Sequence, residues 1–321
     1  MSHDADEPPS PGTLYVIGGA EDKLRRRTVL RHFVGACGGA AASIAVIPSA
    51  SSLGPEITDV YQLVFKALGV ETVRVIRPES RAAANDPTLV AGLDEVTGVF
   101  MTGGNQLKLS GIVNGTALAD AIVAAHRRGV VVGGTSAGAS VQSTHMVAFG
   151  SGGATPKQRM TQLAAGLGLL PDCVIDQHFA QRNRYGRLLM LVAQSPNLLG
   201  IGVDEDTAAV ISGERWLEVV GRGVVTVVDG RQVVSNAHAA KRTSPLLVSG
   251  AVLHVLPAGT KFDLMERVLA ASAPGVDSLV AAEQHEASAD VRVVAGDIAA
   301  EGVSPTNLRR RRARTRASEE T

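Results

Sequence analysis

Three apolar runs in this chain close on paired glycines, at Gly18-Gly19, Gly103-Gly104 and Gly133-Gly134. Amphipathic stretches separate them. "GTLYVIGG" is followed by helical spacing in "DKLRRRTVLRHFVGAC", then by the strand-like "SIAVIPSAS" and the amphipathic "EITDVYQLVFKALG". "ETVRVIRP" and "VTGVFMTGGNQ" read as strands and "ALADAIVAAHRRG" as a helix with a basic last turn. "VVVGGTSAGASVQS" reads as strand, turn and helix. Such alternation sends each helix across a sheet face, which implies right-handed crossovers and parallel strands. The expected fold is α/β, a three-layer mostly parallel sheet flanked by helices. Its strand ends line up along the carboxyl edge, where ligands bind. One double glycine marks only a turn, whereas three along one sheet mark a crevice. Their spacing matches neither a Walker loop nor G-x-G-x-x-G, which argues against a nucleotide phosphate cradle.

Farther along, "CVIDQHF" reads as a strand ending at a polar cluster, and "QRNRYGRLLMLVAQ" as a helix with basic opening turns. "LLGIGVDEDTAAVI" reads as a strand that ends in acids and continues after a turn. From "RWLEVVGRGVVTVVDG" to "AVLHVLPAGT" the pattern is β-rich with glycine turns, as for β-hairpins added to the sheet near the C-terminus. Aromatics make up only 3% of the 321 residues against 45% apolar, so small aliphatic side chains must build the core. That suits close helix–sheet packing. Lysine plus arginine balances aspartate plus glutamate at 31 each, so bulk charge predicts neither nucleic-acid nor membrane binding.

Residues 1–11 are acidic and Pro-rich, read as a disordered tail without the apolar run of a signal peptide. Residues 272–321 read as a second disordered tail, ending with six arginines within 309–316. That cluster could meet nucleic acid, an acidic partner or another subunit; with no aromatic interleaved, a solvated tail is the simpler reading. Residues 12–271 remain as one folded domain. Cys37 and Cys173 lie far apart in apolar contexts without metal-ligand spacing. A cytoplasmic protein with no disulfide framework, metal or cofactor is expected.

Residues 134–138 satisfy G-x-S-x-G between a strand and a helix, the context of a nucleophile elbow. The glycines permit a strained turn that holds out the Ser136 hydroxyl, and the N–H of Ala137 can stabilise an oxyanion. A serine that merely caps a helix after a glycine turn fits the five residues as well. A serine hydroxyl needs a base to become nucleophilic. Of eight histidines, His3 and His285 lie in tails, while His32 and His126 sit beside arginines on helices and read as exposed. His145 ends the helix after the elbow, His238 lies in a polar loop, and His254 alternates along a strand. His178 alone follows a strand end among polar residues, which favours it as the base. The orienting acid is left open among Asp204, Glu205 and Asp206, with Asp176 as a rival. The order serine, histidine, acid differs from that of α/β-hydrolases and sets that superfamily aside.

Together, "GTLYVIGGAEDK", "FMTGGNQLKL", "GGTSAGAS", "DQHFAQRNRYGRL" and "GIGVDEDTAAV" resemble the cyanophycinase family. These are serine peptidases related to dipeptidase E, with a fold similar to class I glutamine amidotransferases (flavodoxin-like). The blocks occur in family order from about Gly12 to Leu264. The resemblance implies Ser136 as nucleophile, His178 as general base and Glu205 as orienting acid, with Gly104 and Ala137 near the oxyanion. It further implies substrate-binding roles for Gln106, Asp176, Gln177, Arg182, Arg184 and Arg187. Without it, the arginines would read as a solvated helix face. The implied substrate is the cyanophycin polymer, poly-aspartate with arginine on each side-chain carboxyl, released as β-Asp-Arg dipeptides through an acyl-enzyme. A homodimer is implied as well. The rivals are an isoaspartyl or aspartyl dipeptidase of the dipeptidase E type, and a non-catalytic binding module on the same scaffold.

Overall fold

The computed structural model describes residues 10–241 and 243–270. The expectations for 272–321, and for all of 1–11 except its last two residues, lie outside them. In chain order the first half comprises β1 (Leu14–Ile17), α1 (Thr28–Ala36), β2 (Ser43–Ile47), α2 (Glu56–Ala67) and β3 (Thr72–Val75). It continues through α3 (Pro87–Val90), β4 (Gly98–Met101), α4 (Gln106–Val113), α5 (Ala117–Arg127), β5 (Val131–Thr135) and α6 (Ala137–Ser140). A hairpin of β6 (His145–Gly150) and β7 (Thr161–Ala165) precedes β8 (Cys173–Gln177), α7 (Tyr185–Gln194), β9 (Leu199–Val203) and β10 (Thr207–Ser212). The remainder is β: β11 (Trp216–Gly221), β12 (Val224–Asp229), β13 (Val234–Ser235), β14 (Val248–Ser249), β15 (Val252–Pro257), β16 (Lys261–Asp263) and β17 (Val268–Leu269).

The central sheet runs β17-β16-β11-β10-β1-β5-β4-β2-β3. Its helix-connected part, β1-β5-β4-β2-β3, is parallel throughout, as the βα alternation requires. From β10 outward every pairing is antiparallel. Alternation along each strand separates two cores. Leu14 and Val16 of β1 face one apolar cluster with α4, α5 and a second sheet, while Tyr15 and Ile17 face the other with α1 and α2. In that second cluster Phe33, Phe65 and Phe100 pack edge or tilted at 5.3–6.0 Å between ring centroids. Each is fully buried, a gain of about 1.5–3 kcal/mol per side chain.

Several expectations change here. The strands expected from "CVIDQHF" and "LLGIGV" do not join the central sheet; β8 and β9 form a second sheet, ordered β15-β12-β9-β8, with α7 on its outer face. The acidic turn after β9 therefore carries the chain from one sheet to the other, because β10 pairs with β1. The C-terminal hairpins divide likewise: β11 and β16 extend the central sheet, β12 and β15 the second. The helix after the elbow spans only four residues, so His145 opens β6. His126 is 3% exposed, contrary to the reading from its arginine neighbours. Among the described residues, no single helix is long and apolar enough to cross a membrane.

Candidate active site

Strand β5 delivers Thr135 to the carboxyl edge, and Ser136 follows with φ 52° and ψ −106°. A non-glycine residue rarely adopts this backbone, and it persists only where the surroundings hold it. Here Ser136 N–H donates to Ile17 O at 2.9 Å, while Ser136 O accepts from Ala139 and Ser140 N–H at 3.1 and 3.0 Å. The turn is so tight that a Cβ on Gly134 would lie 2.1 Å from Gly138 O. Only glycine leaves room for that return, which explains its place two residues before the serine.

The half-buried Ser136 hydroxyl lies 2.9 Å from His178 Nε2. On the other side of the ring, His178 Nδ1 lies 2.7 Å from Glu205 Oε1. A carboxylate can only accept, so Nδ1 carries the proton and Nε2 offers its lone pair to the serine. Burial holds the imidazole pKa below its usual 6.5, helped by the Arg182 charge and opposed by the hydrogen bond to Glu205. The neutral ring, the form that accepts a proton, is thereby favoured.

Ser136 follows a strand of the central sheet and His178 and Glu205 follow strands of the second, and the end of β1 brings them together. Ile17 O takes Ser136 N–H, Gly18 O takes His178 N–H at 2.8 Å, and Gly19 O takes Asp206 N–H at 2.9 Å. Three successive carbonyls thus anchor Ser136, His178 and the residue after Glu205. Gly19 has φ +100°, and a Cβ there would lie 2.3 Å from His178 Cε1. This glycine pair serves the imidazole, which lies directly against it.

Residues 14–219 match peptidase family S51. The cyanophycinase of a Nostoc species is 42% identical over 258 residues, covering 80% of this chain and 87% of the relative. That of Geminocystis herdmanii is 40% identical over 253 residues, covering 78% of this chain and 93% of the relative. The chain belongs to peptidase family S51. It is a serine peptidase with cyanophycinase relatives. A crystal structure of a peptidase from an acI-B1 actinobacterium superposes with a TM-score of 0.58 over 77% of this chain and 99% of its own. At 21% identity that likeness speaks for the fold alone.

In this S51 peptidase the loop after β4 flanks Ser136: a Cβ on Gly103 would stand 3.4 Å from Ser136 Cβ. The N–H groups of Gly104 and Ala137 donate to no acceptor among the described residues, so the backbone at both expected oxyanion positions is free to bind one. Asn105 accepts from Leu107 and Lys108 N–H at 2.9 and 3.1 Å, capping α4 and fixing this loop. Gln106 turns inward and donates to Val147 O and Ala148 O at 3.1 and 2.7 Å, joining the loop to β6.

The polar cluster around His178 is largely self-engaged. Asp176 is fully buried and accepts from Arg187 Nε at 2.5 Å, from Arg187 Nη2, and from Arg184 Nη1 at 3.1 Å. Arg184 Nη1 also meets the main-chain and side-chain oxygens of Gln177. Burial lowers the Arg184 pKa to about 10, with Asp176 opposing the shift. Arg184 and Arg187 are 8% and 3% exposed, which rules out a solvated helix face for them. Arg182 is different: it precedes α7, is exposed, and its guanidinium makes no bond among the described residues.

The three consecutive acids part ways. Glu205 meets the imidazole. Asp204, 6% exposed, accepts from Ala180 and Val224 N–H at 3.0 and 3.3 Å. Asp206 accepts from Asp22 N–H at 2.8 Å. Sequence reasoning assigned nothing to Glu21, yet its buried carboxylate accepts from Thr135 Oγ1 at 2.6 Å and Tyr61 OH at 2.5 Å, and pairs with Lys23 at 2.7 Å. It braces Thr135, the residue before Ser136. The available signal was an acid two residues after a strand-closing glycine pair, in "GGAEDK". Among the described residues, no three His, Cys, Asp or Glu side chains gather as a metal site would require.

Proposed function

We propose that this S51 peptidase hydrolyses cyanophycin to β-Asp-Arg dipeptides, with Ser136, His178 and Glu205 as its catalytic triad. The observation that carries the reading is the continuous hydrogen-bonded line from Ser136 Oγ through His178 to Glu205, at 2.9 and 2.7 Å. Ser136 Oγ attacks the scissile carbonyl carbon as Nε2 takes its proton. The carbonyl oxygen becomes an oxyanion that receives the N–H groups of Gly104 and Ala137. Glu205 stabilises the imidazolium and keeps the ring in place. His178 then gives its proton to the leaving amine, the C–N bond breaks, and an acyl-enzyme remains on Ser136. Water, deprotonated by His178, releases the acyl group and restores the hydroxyl.

The same reading gives Arg182 the task of meeting a substrate carboxylate, since a planar guanidinium makes two-point contacts with one. Arg184 and Arg187 act through Asp176, which they hold in place two residues before the base; Gln177 joins them through Arg184, and Gln106 holds the loop after β4 against β6. We propose further that it is a cytoplasmic homodimer, testable by cell fractionation and by sedimentation of the purified chain. Incubation with insoluble cyanophycin tests the central claim. Dipeptide release is expected from the unaltered protein, and Ser136→Ala should lose about 10⁶-fold in kcat. Equal rates in both would remove Ser136 from its role; no release from either would remove the substrate.

A further inference from the structure

Beyond Glu205 the surface opens into a cleft of about 1050 Å³ between the loop after β1 and the β11–β12 turn. Its walls include Arg25, Arg26, Arg222, Gln181, Glu205 and Asp206. The triad acid is thus also part of the cleft wall.

The charges in this cleft are unequally engaged. Asp22, which also lines it, accepts from Leu24, Arg25 and Arg27 N–H at 2.9–3.0 Å, and these bonds hold its carboxyl far below the usual range. Asp206 Oδ1 takes Asp22 N–H, and Glu205 Oε1 takes His178. By contrast, the exposed guanidinium groups of Arg25, Arg26 and Arg222 make no hydrogen bond or ion pair among the described residues. Three open two-point donors therefore share a cleft with acids whose positions the backbone fixes. A wall that offers both signs suits a ligand that also carries both. It disfavours a purely anionic chain such as nucleic acid, which the acids would repel.

Resting on the function proposed above, the chemistry of the polymer completes the match. An arginine amide-linked through its α-amine keeps a free α-carboxylate and a free guanidinium on every repeat. The cleft begins one imidazole and two hydrogen bonds from Ser136 Oγ, which an extended chain spans in about two or three residues at roughly 3.3–3.6 Å each. We propose that this cleft is an accessory subsite: Arg25, Arg26 and Arg222 bind arginyl α-carboxylates two or more repeats from the scissile bond. The enzyme then holds long chains more tightly than short ones.

The test uses Ser136→Ala protein and synthetic β-Asp-Arg oligomers of two and six repeats, titrated by calorimetry. Substituting Arg25→Gln, Arg26→Gln and Arg222→Gln together should weaken six-repeat binding by about tenfold, the sum of three modest exposed charge contacts. Two-repeat binding should move far less, and Arg128→Gln, at the far end of α5, should leave the length preference intact. Thermal unfolding of the triple variant checks that it folds. An unchanged ratio of six- to two-repeat affinity overturns the subsite, while dipeptide release by the unaltered enzyme still supports the substrate. No release from polymer overturns the substrate reading and the subsite with it.

Discussion

Ala20, Ser136, His178 and Asp206 share a positive φ between 48° and 52°, and all four lie around the proposed triad. Each such backbone costs about 1–3 kcal/mol and survives because its neighbours hold it. Here the holding groups are the carbonyls of Ile17, Gly18 and Gly19, which anchor three of the four segments. Electrostatics at the same scale sets the pH response. Burial and the Arg182 charge lower the His178 pKa, while Glu205 raises it. On the proposed mechanism His178 works as a base in its neutral form, so kcat/KM should fall with acid along a limb centred below pH 6.5. Arg182→Gln removes one of the groups that lower the pKa and should move that limb to higher pH. A pH–rate profile of the two proteins checks the sign, and a shift toward acid would contradict it.

At the scale of elements, β8 and α7 are joined by more than apolar contact. Asp176 on β8 sits under two guanidinium groups, Arg184 at the start of α7 and Arg187 in its first turn. Removing the carboxylate leaves two buried cations facing each other, so Asp176→Ala should cost about 3–5 kcal/mol, read by urea unfolding. The strand that presents His178 should loosen with it. This pairing explains a limit of sequence reading. "QRNRYGRLLMLVAQ" shows its basic residues plainly, but period and spacing say nothing about a buried aspartate two residues before the histidine. The elbow was easier to read because its requirements are local: glycine at 134, serine at 136 and a following helix, all within one turn. Even there α6 proved only four residues long, since the chain leaves it for the β6–β7 hairpin.

For the whole molecule, the deciding feature is the seam between two sheets. Ser136 comes from the central sheet, whereas His178 and Glu205 follow β8 and β9 of the second. Asp204 holds the second sheet's side of that seam, bonding the loop after His178 to the start of β12, while Thr207 Oγ1 at the start of β10 accepts from Gly223 N–H at 2.8 Å in the β11–β12 turn. Asp204→Ala should lower stability by about 1–3 kcal/mol, because two part-buried N–H groups lose bonds to a charged acceptor. It should also lower kcat while Glu205 is intact; Asp204→Asn, which keeps an acceptor oxygen, should recover part of both. Unfolding midpoints and initial rates on the same preparations test this, and unaltered kcat in the alanine variant would separate the seam from catalysis.

The sequence by itself determined the βα alternation, the parallel core, the glycine-closed strand ends and the elbow, because each rests on residues close together in the chain. It carried the family as well, through five blocks in order. It could not choose among Asp204, Glu205 and Asp206 by spacing, nor show that the chain changes sheets within that turn. Adjacent residues share nearly every local property, so only the partner each side chain meets distinguishes them. Those partners come from β1, β8 and β12, and the packing of two sheets decides where each of those strands ends.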